Sequence, residues 1–183
     1  MKDKLKVKGM VTVSVFDSNG NIKRRAPNWL QRIFGLPGSV MVRKHHNIVT
    51  REGDALIADA LLGTPTKAKV AGTTGYMQVG NGWTGTDTKN TKRCVKPTGS
   101  MKVLDSGYPQ KKAAWGSTGD TTVVYRTTFA AGNLNANGIN ECCLLNGNAA
   151  ASNALAYAQV TPSVNVTTSD TLQIVWELTI LGQ

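Results

Sequence analysis

Nowhere in the 183-residue chain do about eighteen apolar residues run together, so no membrane-spanning helix is expected. The opening residues MKDKLKVKG lack the apolar segment of a secretory leader, which makes synthesis in a reducing cytosol the expectation. Cysteine is scarce. Cys94, Cys142 and Cys143 are too few for a disulfide framework, and the adjacent pair could bridge only with strain. Acids are scarce as well, 11 Asp and Glu against 21 Lys and Arg, and they are scattered. Serine, histidine and acid never meet in a nucleophile motif, and GxSxG is absent. His45 and His46 are neighbours on an expected strand, so they point to opposite faces and cannot readily share a metal. One imidazole is expected in solvent and the other hydrogen-bonded. GNGWTG is glycine-rich, yet no helix opens after it and no lysine follows at phosphate-loop spacing. Glu141 and Glu177 both fall in expected strands, where they read as solvated or hydrogen-bonded acids rather than as a working pair. The chain is therefore not expected to be an enzyme, and it calls for no metal or cofactor.

What the sequence does have is a lopsided distribution of charge. Residues 1–51 carry eleven of the Lys and Arg but only Asp3 and Asp17 among the acids, a net of +9, while the rest of the chain is nearly balanced at +1. A basic arm of this kind fits nucleic acid, an anionic surface or an acidic protein partner. The arm lacks a recognisable base-reading motif or a clear set of stacking aromatics, so an acidic protein surface ranks ahead of nucleic acid.

The chain's punctuation favours strands. Lys4 to Phe16 alternates, with Leu5, Val7, Val11, Val13 and Val15 on one face and Lys4, Lys6, Lys8, Thr12 and Ser14 on the other. Asp17-Ser18-Asn19-Gly20 then turns the chain back through Ile22. A calcium loop starting at Asp17 fails, since its sixth and twelfth positions are Ile22 and Asn28. The stretch from Val40 to Gly63 passes from a strand pattern directly into a helix at about 51–62. Thr50 suits its N-cap, Asp54 its first turn and Gly63 its terminating residue. Further strands are expected at Tyr76–Gly80, Met101–Leu104, Thr121–Phe129, Ile139–Leu145 (buried on both faces apart from Glu141), around Leu155–Gln159, and at Thr171–Leu181. Residues 81–99 read as a polar loop and 105–120 as irregular, with Trp115 either a core plug or exposed. The fold class is mainly β: an antiparallel sandwich or jelly-roll-like barrel, one domain over residues 1–183, with one short helix.

Between the halves of the first hairpin sits an apparent insertion at about 24–39, RRAPNWLQRIFGLPGS. Pro27 and Pro37 bracket Trp29, Leu30, Ile33, Phe34 and Leu36, with Arg24, Arg25 and Arg32 around them. Trp29, Ile33 and Leu36 lie at helical spacing, allowing one or two turns. Two readings stand side by side: these side chains fold back onto the core, or they form an exposed docking loop, because Trp and Arg are the usual interface anchors. The candidate partner-binding residues are Arg24, Arg25, Trp29, Leu30, Arg32, Ile33 and Phe34 in the loop, with Lys4, Lys6 and Lys8 on the first strand.

Four pieces in order, KGMVTVSVFDSNGNI with HNIVTREGDALIADALLG, then YMQVGNGWTGTDT, VVYRTTFAAGNLNANGINECCLL and DTLQIVWELTI, resemble a family of tailed-bacteriophage virion proteins of the tail, collar or fibre. The likeness spans most of residues 5–181. It departs from the pattern at Cys142-Cys143, where a glycine is usual after the glutamate, and in the 24–39 insertion. What the resemblance implies is a structural β-sandwich without catalytic residues, acting by protein–protein contact in the tail, neck or baseplate, and possessing other virion subunits and further copies of itself as partners. It also implies residence in the virion after assembly in the host cytoplasm. A capsid decoration protein is the nearest alternative, and a receptor- or glycan-binding head using Trp83, Trp115 and Tyr108 is another.

Overall fold

The computed structural model of the chain describes residues 6–85 and 89–181. In order these form β1 (Lys6–Phe16), α1 (Trp29–Ile33), β2 (Val42–Val49), α2 (Arg51–Ala60), β3 (Tyr76–Gly80), β4 (Pro97–Val103), β5 (Gln110–Lys111), β6 (Thr122–Phe129), β7 (Ala136–Leu145), β8 (Ala154–Val166) and β9 (Thr171–Leu181). Their nine strands make one antiparallel sheet, ordered β4-β3-β7-β8-β2-β1-β9-β6-β5 and curled into a half-barrel. The expected mainly β class holds, with two helices where one was expected, the second being a short turn of helix inside the insertion.

β2 is the seam of the sheet. Residues Val42 to Asn47 pair with β1, from Val42 opposite Ser14 to Asn47 opposite Gly9, and only Ile48 and Val49 pair with β8, opposite Tyr157 and Ala156. Continued along β8, that register would put Arg43 opposite Pro162, which has no N–H to offer the ladder. The pairing stops well short of that point, and side chains bridge the two strands beyond it. Arg43 Nε donates to the Pro162 carbonyl at 3.1 Å, and His45 Nε2 accepts from the Thr161 N–H at 3.1 Å. His46 is exposed, so the histidines divide as their opposite faces require.

Curling brings the ends of the sheet together. Asp105 donates its N–H to the Arg126 carbonyl at 2.8 Å, and its carboxylate takes the Arg126 Nε and the Thr128 N–H. Inside lie the alternating apolar faces of both halves, with Val11, Val13, Phe129, Ile139, Ile174 and Trp176 nearly inaccessible. Period-two alternation in β1 and β9 is thus the core-facing pattern. Ile180, which continues that alternation in β9, is 40% exposed, opposite Val7 near the strand end.

β7 does not alternate, because both its faces are covered. Cys142 packs into the main core, while Cys143, Leu145, Ala154 and Tyr157 form a second cluster on the opposite face with Cys94, roofed by Trp83 and Met101. All three cysteines are free and buried, and burial pushes the Cys94 and Cys142 thiols well above their ordinary range. Trp83 and Cys94, in a stretch expected to be a polar loop, are part of this second layer, and β4 begins at Pro97, earlier than the expected Met101. The clamp is Glu141, which is fully buried rather than the exception to burial that its charge predicted. Its carboxyl group accepts from the backbone N–H groups of Gly82, Val95 and Lys96 at 2.9–3.0 Å and from the Tyr157 hydroxyl at 2.5 Å. Tyr157 in turn stacks on Trp83, with 5.7 Å between ring centroids. Burial first, then the bond to Glu141, raises the tyrosine pKa. Glu177 lies in the other half of the sheet and pairs with Lys112 at 2.8 Å, so the two glutamates are not a pair.

α2 starts as expected: the Thr50 hydroxyl accepts from the Gly53 N–H at 2.8 Å and donates to the Ala154 carbonyl. Gly53 is required by close approach, since a Cβ there would stand 2.0 Å from the Leu155 carbonyl oxygen. The helix ends at Ala60, with Leu61 as its cap, and not at Gly63. Asp59 accounts for the early stop. Its carboxylate accepts from the N–H groups of Lys67 and Thr66 and from the Thr66 hydroxyl, which turns the chain back and keeps the Asp59 pKa below the ordinary value.

Replacing Glu141 with leucine would leave three part-buried backbone N–H groups and the buried Tyr157 hydroxyl without their acceptor at once. The expected loss is about 3 kcal/mol or more of unfolding free energy, read as a lowered urea midpoint with an unchanged slope. Glu141→Gln, which keeps an acceptor oxygen, should lose less.

Candidate functional site

The insertion is rooted by backbone. Lys23 N–H donates to Val15 O at 2.8 Å, Met41 N–H to Lys23 O at 2.8 Å and Arg25 N–H to Ser39 O at 2.9 Å, and Arg24 bridges Val40. Above this root the chain caps its own helix. Asn28 Oδ1 accepts from the Gln31 N–H at 2.8 Å, and Gln31 Oε1 accepts from the Asn28 N–H at 2.9 Å, a reciprocal capping box. At the other end Leu36 N–H donates to Gln31 O at 2.7 Å and Gly35 N–H to Arg32 O at 3.2 Å. This is the two-bond Schellman closure, and it needs a left-handed residue at Gly35, whose φ is +64°. α1 is therefore held by local hydrogen bonds alone.

No residue of α1 is buried. Trp29 is 69% exposed, Ile33 66% and Phe34 70%, with Leu30 and Leu36 also in solvent. Of the two readings of this segment, the fold-back onto the core is excluded. The apolar stripe is presented outward on a rigid knob, with Arg32 tied to the Pro27 carbonyl beside it.

Beneath the knob the basic residues are anchored to the sheet. Lys23 bonds the nearly buried Asp170, which also accepts from the Thr167 N–H and hydroxyl at 2.7 Å. Arg24 donates to Gly38 O at 3.1 Å and Arg25 to Ser163 O. Arg43, 8% exposed, spends its guanidinium on three carbonyls, those of Val40, Val42 and Pro162. Burial, and then the neighbouring Arg25, lowers the Arg43 pKa. Between the root and β7–β8 runs an open groove of about 560 Å³, lined by Lys23, Arg24, Arg25, Asn137, Ser163 and Asn165 among others.

The candidate residues do not all converge. Arg24, Arg25, Trp29, Leu30, Arg32, Ile33 and Phe34 belong to one feature. Lys6 and Lys8 are exposed on β1, but the insertion leaves from that strand's other end, about 25–30 Å away at roughly 3.3 Å per residue. Lys4 lies outside the described residues. Lys23, Arg43, Asn137, Ser163 and Asn165 were missed. Arg43 carried a faint signal, an arginine at an inward position of a strand, whereas the others meet only through the sheet register. Among the described residues no group of three His, Cys, Asp or Glu side chains converges as a metal site would. Comparison with protein-family models, curated proteins and solved structures finds no match for this chain.

The Asp170 anchor gives a pH test. Burial raises its carboxyl pKa, but the hydrogen bonds from Lys23 and Thr167 outweigh that and leave it below the ordinary value. A depressed carboxyl pKa stabilises the fold above the unfolded value, about 3.9, and this contribution is lost as pH falls through the folded one. Asp170→Asn should thus cost about 1–3 kcal/mol at pH 7, with the gap to the parent closing as the pH drops below about 4, in urea melts taken across that range.

Proposed function

We propose that this chain is a structural protein of a tailed-bacteriophage particle, placed at the tail, neck or baseplate and acting through repeated contacts with other virion subunits and with its own copies. The supporting observation is the outward-facing Trp29–Ile33–Phe34 stripe on a knob that the chain builds without help from its core. Solvent exposure of three large apolar side chains on an ordered element has a cost that a partner would remove, since burying each contributes about 1.5–3 kcal/mol. The half-barrel is a frame that holds this element in a fixed direction. The resemblance of four ordered motifs to virion proteins supplies the particle.

A decoration protein on the capsid exterior would use the same surface. Copy number separates the two: a ring's worth per particle at the tail, against on the order of hundreds over a capsid. The receptor- or glycan-binding reading draws on less. Trp115 is 87% exposed, with Lys111 4.6 Å over its ring, but Trp83 is stacked on Tyr157 and Tyr108 lies under the Arg126 guanidinium at 4.5 Å. Clustered free platforms, which a sugar site would want, are not formed by these three.

The double variant Trp29→Ala with Phe34→Ala tests the docking element. The isolated protein should lose no more than about 0.5 kcal/mol per site, as expected for surface positions. Its incorporation into particles, measured by gel densitometry of purified virions, should fall at least tenfold. Undiminished incorporation would remove the knob as the docking element, and a stability loss of about 3–5 kcal/mol would mark these residues as core.

A further inference from the structure

Two features meet at the foot of the insertion. First, the basic excess is unmatched. Of the described Lys and Arg in residues 6–51, only Lys23 forms an ion pair, so Arg24 and Arg25 face the groove with no acid opposite them. Second, the groove is built rather than incidental. Each of these arginines is tethered through one guanidinium N–H to a backbone carbonyl, Gly38 for Arg24 and Ser163 for Arg25, which leaves most of its five donors for another acceptor. Asn137, Ser163 and Asn165 line the far wall, Asn165 being fixed by accepting the Gly138 N–H at 2.7 Å. β2 and β8 are unpaired beside this space, their ladder being confined to Ile48 and Val49. Its volume, about 560 Å³, lies within the roughly 300–1,000 Å³ of ordinary ligand pockets.

The geometry points to this groove as the seat of an acidic segment of a partner protein, whose glutamate or aspartate carboxylates fork onto Arg24 and Arg25 while the neighbouring apolar knob takes the partner's non-polar surface. The inference rests on the reading of the insertion as a docking element and names the chemistry of what docks. Tethered guanidinium groups suit planar carboxylates, which they engage through paired N–H bonds. The polar far wall offers amide and hydroxyl partners for a peptide backbone. A nucleic-acid strand would call for a stripe of cations along its length and aromatics in the channel. The groove lining contains no aromatic residue, and the exposed Lys6 and Lys8 stand at the opposite end of β1.

Fluorescence anisotropy with a labelled hexaglutamate peptide at low salt tests this on the isolated protein, independently of any particle. Saturable binding is expected, with none to a hexaglutamine peptide. Arg24→Gln with Arg25→Gln should weaken it at least about tenfold, whereas Lys67→Gln with Lys69→Gln, which removes the same charge from the exposed segment after α2, should change it less than about threefold. Titration of the unaltered protein followed by amide NMR requires no variant to fold, and its shifts should concentrate at residues 23–25, 137 and 163–165. Equal weakening by both charge removals, shifts centred on Lys6 and Lys8, absence of saturable binding, or tighter Arg24- and Arg25-dependent binding of a single-stranded DNA oligonucleotide would each overturn the assignment. If peptide binding fails while incorporation still depends on Trp29 and Phe34, the groove falls and the docking element stands. The opposite pair of results keeps the groove and removes the knob as the docking element.

Discussion

The short pairing between β2 and β8 is the constraint from which the exterior of this protein follows. β2 is bound to β1 over most of its length but to β8 only through Ile48 and Val49. Further along β8, Pro162 has no N–H with which to resume the ladder. Arg43 and His45 fill the parted edge with side-chain hydrogen bonds to Pro162 and Thr161. That parting gives Arg25 access to the Ser163 carbonyl and opens the groove at the insertion's root. A continuous ladder there would bury the same backbone groups against each other and leave no room for the basic residues.

The interior answers to a second requirement, that a strand covered on both faces must have its polar side chains satisfied. Glu141 interrupts the apolar run of β7 and would be costly to bury alone. Four hydrogen bonds satisfy it, and three of them come from the backbone of residues 82 and 95–96. The acid thereby fixes a segment that has almost no regular secondary structure, and Trp83 and Cys94 seal the layer beneath. Asp170 does similar work on the outside, where one carboxylate joins the root of the insertion to the turn before β9.

Core and knob are consequently stabilised by different means. The frame relies on buried apolar area from strands distant in sequence, whereas α1 is closed by bonds between residues no more than five apart. Such an element can keep its shape while its apolar stripe remains in water. That independence allows the apolar stripe to be altered without unfolding the frame.

The amino-acid sequence by itself determined most of the strands, though not β5, the start of β4 or the full length of β8, together with the DSNG turn, the Thr50 cap, the inserted segment and the concentration of positive charge. Each depends on near neighbours: period-two alternation, turn chemistry and capping act over a few residues. It could not distinguish a buried Glu141 from a solvated one, nor an exposed Trp29 from a core residue. The helix end was misplaced at Gly63 for a related reason, since the Asp59 bonds to residues 66–67 are made across a loop. These outcomes depend on which surfaces the sheet order brings together, such as β7 beneath residues 82–83 and 94–96 or β8 beside the root of the insertion. Only the tertiary structure decided them, because burial and hydrogen-bond satisfaction belong to pairs of segments far apart in the chain.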